Sequence, residues 1–358
     1  IENLKKGNFD DALITAIVNN QKKNVIQATE KYSSRASDLM NAFTNELDWQ
    51  TQVAYTDQLS KLTKADIVAF ANKYFGDNYV VILKRKGEDK NIVKVDKPPI
   101  TPVETNRDAQ SAFVKQINNM PATPVKPVWL DYKKDLQKST IGPAEVLYVQ
   151  NKDNSLFRLR YRFDIGTWNN KKLSLAAQYL QFLGTNKMNA EEITKAFYKI
   201  ACSFNISAGS EFTTVTIEGL QENFSPAVKL FEDCKADDAA LQSLKLRLKK
   251  SRTDAKANKG AIMSGLMNYA RFGKVNPFNT TLSNTEIDDI SSSELVNTLH
   301  GLNSYSHKIL YYGPQPLAQL TTSLKTMHSI PAVFKAAPQK IKFTPTVQNK
   351  NQVLFADY

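Results

Sequence analysis

Apolar and polar positions recur along this chain with two periods, and the changes of period mark its elements. Asn8-Phe9-Asp10-Asp11 opens a helical pattern in which Ala12, Leu13, Ile14 and Ile17 lie on or near one face. A longer helical pattern runs over residues 25–59 through Tyr32, Ala36, Leu39, Met40, Phe43, Leu47 and Val53. Leu62-Thr63-Lys64-Ala65-Asp66 then predicts a helix start, with Thr63 as cap and Asp66 answering it as in a capping box. That helix is expected to bury Ile67, Phe70, Ala71, Tyr74 and Phe75 and to stop at Gly76. Tyr79-Val80-Val81-Ile82-Leu83 follows as a strand, and its unbroken apolar run predicts burial on both faces.

Residues 88–135 lose this periodicity. Pro98, Pro99, Pro102, Pro121, Pro124 and Pro127 favour an extended linker, interrupted by one helical piece over 109–117. A second unit begins near Ala144. A strand over 145–150, a turn at Asn151-Lys152-Asp153-Asn154 and an alternating strand over 156–165 form its opening hairpin. Helices are predicted over 172–183, stopping at Gly184, and over 190–201, with Asn189 as cap. Residues 202–208 and 212–219 read as a hairpin around Gly209-Ser210. Helices over 224–233, 238–256, 261–272 and 293–302 follow, and a strand over 308–312 ends at Gly313-Pro314.

The chain repeats itself. Ile290-Ser291-Ser292-Ser293-Glu294-Leu295-Val296, a helix and a strand ending at Gly313 echo Leu62-Thr63-Lys64-Ala65-Asp66-Ile67-Val68 and its helix and strand. Thr63 and Ser291, Asp66 and Glu294, and Ile67 and Leu295 share one offset of 228 residues. The repeated unit is thus roughly 200 residues plus a linker. The second copy spans 136–335; the first is the C-terminal part of a copy, and Asn351-Gln352-Val353-Leu354-Phe355 reads as the first strand of another. The chain is therefore expected to be cut from a longer protein.

Composition narrows the chemistry. The 358 residues carry a net charge of +12 and 42% hydrophobic residues, which describes ordinary globular domains. Apolar runs reach only about five residues, where about 20 would be needed for a membrane span. Two cysteines, Cys202 and Cys234, allow one optional bridge or two buried thiols. The three histidines, His300, His307 and His328, lack the spacing that puts two imidazoles on one helical face. His-Glu-x-x-His, His-x-x-Glu-His, Cys-x-x-Cys, Gly-x-Gly-x-x-Gly, the Walker loop and Gly-x-Ser-x-Gly are all absent. No catalytic residue and no metal ligand can be named from these residues.

The order of motifs resembles the pitrilysin/insulinase family of zinc metallopeptidases. The resemblance rests on Leu62-Thr63-Lys64-Ala65-Asp66-Ile67, Lys73-Tyr74-Phe75, the hairpin and helix over 146–184, Gly273-Lys274-Val275-Asn276-Pro277-Phe278, and Tyr311-Tyr312-Gly313-Pro314. It implies an α+β fold of repeated two-layer α/β modules, each a mostly antiparallel sheet packed against helices. Residues 1–87 would end a second module, 88–135 would be a Pro-rich linker, 136–335 a complete third module, and 336–358 a linker and first strand of a fourth. The family's zinc motif lies on the helix after the first hairpin of an active module. Here that helix reads Leu173-Ser174-Leu175-Ala176-Ala177-Gln178-Tyr179-Leu180-Gln181-Phe182-Leu183, with no His and no Glu.

The resemblance therefore implies a non-catalytic segment that shapes a peptide chamber, with zinc in a module upstream of Ile1. Its partners would be the other modules of the polypeptide and a peptide substrate, with no nucleic acid and no membrane span. A bacterial periplasmic or envelope location is plausible by resemblance. The alternative is an inactive homologue serving as scaffold or partner subunit of a separate active peptidase. Residues 212–217 would lie where such a module has its edge strand, able to pair with extended peptide.

Three further features carry two readings each. Lys235, Lys245, Arg247, Lys249, Lys250, Arg252, Lys256 and Lys259 form either an anion-binding surface or a solvated helical face. No aromatic residues interleave with them, which argues against single-strand stacking. His300 and His307 are either a metal pair or ordinary histidines, and Tyr269, Arg271 and Phe272 either face substrate or pack a helix end.

Overall fold

The computed structural model describes residues 1–84, 86–87, 95–102, 105–180, 188–232 and 238–356. The chain opens with α1 (Glu2–Lys5), α2 (Ala12–Thr29), α3 (Tyr32–Thr44), α4 (Trp49–Val53), α5 (Tyr55–Leu59) and α6 (Lys64–Tyr74). The single helix expected over 25–59 is broken. Lys31 is extended before α3, and Glu46 takes a left-handed φ of 53°. Asp48 restarts the helix by accepting from the Thr51 N–H. At α6, Thr63 and Asp66 form the reciprocal capping box that the pattern predicts.

Burial in this segment departs from expectation. Of the five apolar residues assigned to the inner face of α6, Ala71 is buried, while Phe70 and Tyr74 are about half exposed. Residues 79–83 correct the sequence reading as well. Their side chains are exposed and no described strand pairs with them, so their backbone groups lack the ladder that defines a strand. Residues 351–356 likewise join no described strand.

One sheet organises the remainder. It contains β1 (Gln137–Ile141), β2 (Ala144–Gln150), β3 (Leu156–Phe163), β4 (Cys202–Ala208), β5 (Thr213–Leu220) and β6 (His307–Gly313), in the order β1-β2-β6-β3-β5-β4. All neighbouring pairs are antiparallel except β2 with β6. The register aligns Tyr148 with Tyr311, Leu159 with Tyr311 and Ile217, and Tyr161 with Ile309 and Val215. This places every second side chain on one buried face. The opposite face is polar, with ion pairs from Arg158 to Glu218 and from Lys308 to Glu145.

Helices cover the apolar face: α8 (Lys172–Tyr179), α9 (Ala190–Lys199), α10 (Phe224–Glu232), α14 (Ser292–His300) and α15 (Leu317–Met327). Between them in sequence lie α11 (Asp238–Ala255), α12 (Lys259–Phe272) and α13 (Asn284–Asp289), while α7 (Ala112–Asn118) stands in the Pro-rich stretch. The architecture is a two-layer α+β module with a mostly antiparallel sheet. Against it, α2 docks on α9. Asn20 donates to the Tyr198 carbonyl at 2.7 Å, and Lys199 pairs with Asp10 at 2.6 Å. The expected helix stop at Gly184 lies outside the described residues.

Candidate functional site

A groove of about 760 Å³ runs along the outer side of α8. Its near wall begins at the loop after β3. A Cβ on Gly166 would stand 2.5 Å from the Ser210 carbonyl, so only glycine permits this approach. Thr167 and Trp168 donate their backbone N–H groups to Gly209 and Ser210, fixing the loop on the β4–β5 turn. Trp168 is further held by Lys340 over its ring and by Phe343 against it.

From this loop α8 runs with Leu173, Leu175, Ala176, Ala177 and Tyr179 buried. Lys171, Ser174 and Gln178 are left facing the groove. The far wall is built from α11, α12 and the loop after them. Asn276, 2% exposed, accepts from the Phe278 and Asn279 N–H groups and donates to the Gly273 carbonyl. That knot presents Pro277, Phe278 and Thr280 to the groove. Gly265 of α12 lets the Phe278 ring approach to 3.2 Å of where a Cβ would be.

The residues present decide what this groove can do. Ser174 and Gln178 are four apart on one helical face, the spacing that two zinc-binding imidazoles would need. A neutral hydroxyl and an amide do not make a zinc site, and the buried Ala177 offers no carboxylate to activate water. The α8 face therefore does not fit zinc. Among the described residues no group of three or more His, Cys, Asp or Glu is placed to hold a metal. What the groove offers instead is a largely apolar floor with Lys171, Arg252 and Lys256 on its walls.

The other sequence candidates are placed as follows. His307 turns inward to meet His328, with Nε2 atoms 3.2 Å apart, while His300 is exposed at the end of α14. The proposed His300–His307 pairing is thus not formed. Arg271 lies over the Phe272 ring, Phe272 contacts Phe343, and Thr346 N donates to the Arg271 carbonyl, so these two residues pack a helix end, while Tyr269 is exposed. Cys202 is a free, buried thiol pushed up to about 12 by desolvation; Cys234 lies outside the described residues.

Three expectations need correction. Residues 145–150 and 156–165 do not pair as a hairpin, because β6 lies between β2 and β3 and bonds to both. The strand over 212–217 is β5, which lies between β3 and β4; the edges of the sheet are β1 and β4. The hairpin turn folds β4 outward, because β5 carries the alternating apolar set that pairs with β3. The basic stretch is also not one solvated face. Lys245 is buried and donates to the Asp288 and Ile290 carbonyls, and Lys249 pairs with Asp288. Lys235 lies outside the described residues. Sequence reasoning missed the groove itself, whose walls come from segments about 100 residues apart.

No family model matches the sequence, and no curated protein matches it. Solved structures do match the fold. The ferredoxin protease FusC, in a structure with Arabidopsis ferredoxin, aligns with a TM-score of 0.52 and 12% identity, over 96% of this chain and 42% of that one. The periplasmic protease PqqL from Escherichia coli aligns with a TM-score of 0.52 and 12% identity, over 86% of this chain and 35% of that one. A peptidase M16 inactive domain from Pseudomonas fluorescens aligns with a TM-score of 0.49 and 17% identity, over 59% of this chain and 54% of that one. The chain spans about half or less of the length of these structures. No helix among the described residues is long and apolar enough to cross a membrane.

Proposed function

The chain has the fold of the pitrilysin-like proteases, and from it we propose that this is a non-catalytic segment of a zinc-dependent peptidase of that type. Its work is to hold peptide in the α8 groove while hydrolysis takes place on a module elsewhere in the parent protein. The observation that carries the reading is the groove-facing side of α8. The helix after β3 turns an i, i+4 pair toward the groove, and the pair is Ser174 and Gln178.

Under this reading the chain binds peptide without cutting it. Lys171, Trp168 and Phe278 contact the peptide, and no residue of α8 activates water. The partners are the peptide and the remaining modules of the polypeptide. Residues 1–87 belong to a preceding module, and a periplasmic or envelope site of action accords with the likeness to PqqL.

The test is metal content and turnover of the purified chain. We expect zinc well below one ion per chain after dialysis, and no chelator-sensitive cleavage of an internally quenched peptide library. Chelator-sensitive turnover that co-purifies with the chain would overturn the reading.

A further inference from the structure

We propose that the α8 groove selects peptide segments carrying carboxylate side chains beside an apolar residue. The inference deepens the reading above and rests on it. Every charged side chain lining the groove is basic: Lys171 at the start of α8, and Arg252 and Lys256 near the end of α11. None of the three forms an ion pair with a carboxylate among the described residues. Arg252 spends its donors on neutral acceptors, the Leu282 carbonyl at 2.6 Å and Asn284 Oδ1 at 2.9 Å. Its positive charge is therefore fixed in place and left uncancelled.

The nearby carboxylates are engaged away from the lining. Asp254 pairs with Lys250 and Asp288 with Lys249. Glu286 is held first by its own cap at Ser283, with Lys171 and Lys172 adding a weaker pull. It accepts from the Ser283 N–H in the cap of α13, which keeps it below the ordinary carboxylate range. The charges that remain face one concavity with apolar walls formed by Leu175, Leu248, Ile262 and Phe278. Low-dielectric walls concentrate such a field and raise the local population of anionic ligands. A free inorganic anion would satisfy the charge but leave the apolar floor unused. An extended peptide with an acidic residue next to an aromatic or aliphatic one uses both. The volume of about 760 Å³ falls within the range of formed ligand sites.

The test uses the whole chain and two rhodamine-labelled peptides. Both are Gly/Ser sequences around one Phe, with Glu or with Lys at the same positions. Fluorescence anisotropy is expected to give roughly tenfold or more tighter binding of the Glu peptide. The gap should narrow as salt rises, because rim charges are screened. Lys171→Glu with Lys256→Glu, both at the groove rim, should invert the order. Equal binding of the two peptides would overturn the charge inference and leave the peptide groove standing. An acidic preference that survives the double substitution would place the selection elsewhere and also overturn it. Failure of both peptides to bind would overturn the groove reading itself.

Discussion

His307 Nε2 and His328 Nε2 face each other at 3.2 Å inside the core, 21 residues apart in sequence. The carbonyl of Tyr305 accepts from His307 Nδ1, which assigns the proton there and leaves Nε2 as the acceptor for His328. His328 in turn meets Glu232 at 3.0 Å through Nδ1 and stacks on the Tyr161 ring. A second proton on His307 would set two N–H groups head to head. Burial, and after it the charge of His328, lowers His307 from 6.5 to about 4, against the opposing pull of Tyr305 O, Asp164 and Glu232.

The sign of the consequence is fixed by proton uptake. Between pH 6.5 and about 4 the unfolded chain binds a proton at His307 that the folded chain does not. This contribution is complete above pH 6.5 and is lost as pH falls through that window. The loss by pH 4 amounts to about 3 kcal/mol. Urea midpoints measured from pH 7 to pH 4 should fall more steeply for the native chain than for His307→Gln. Parallel slopes would contradict this.

Gly219 of β5 is predicted to be intolerant of any side chain. A Cβ there would stand 2.3 Å from Cys202 Sγ and 2.8 Å from the Ala201 carbonyl. Gly219→Ala should cost about 1–3 kcal/mol through overpacking. Gly301→Ala has open space around the added methyl and should leave the melting temperature nearly unchanged. Thermal melts of the two variants settle the comparison.

Cys202 should be chemically silent in the folded chain. Its thiol is buried and held near 12, so little thiolate exists at neutral pH. Peptide mapping after iodoacetamide at pH 8 should find Cys202 unmodified until denaturant is added. Alkylation of Cys202 in the native state would refute its burial.

Asn276→Ala is expected to weaken peptide binding without removing a peptide contact. Three hydrogen bonds hold the loop that carries Phe278, and truncation leaves the Phe278 and Asn279 N–H groups without this acceptor. A cost of about 1–3 kcal/mol in stability should accompany the looser groove. Equilibrium unfolding and anisotropy on one sample would show both effects together.

These elements also divide what the sequence makes legible from what it does not. The Thr63–Asp66 and Asn189–Glu192 caps, the alternation of β3 and the empty chemistry of α8 are local, and residue type alone determines them. β1 escaped because Gln137-Lys138-Ser139-Thr140 is an edge strand with no apolar pattern to betray it. α15 escaped because Leu317, Leu320 and Leu324 directly follow Pro314 and Pro316, which interrupt the pattern ahead of them. Strand order is set by pairing across the sheet, so a hairpin over 202–219 does not reveal which strand lies outside. The meeting of His307 with His328 and the walls of the groove are long-range events of the same kind. The exposed residues 79–83 show the converse, since apolar composition favours a strand only where a sheet is present to receive it.

The most direct test of the account is to locate bound peptide. A peptide carrying benzoylphenylalanine beside Glu should be photolysed with the intact chain and its adducts mapped by mass spectrometry. The account predicts adducts on Trp168, Ile262 and Phe278, the apolar walls around α8. Adducts confined to the exposed apolar residues of α3, such as Tyr32 and Phe43, would contradict it.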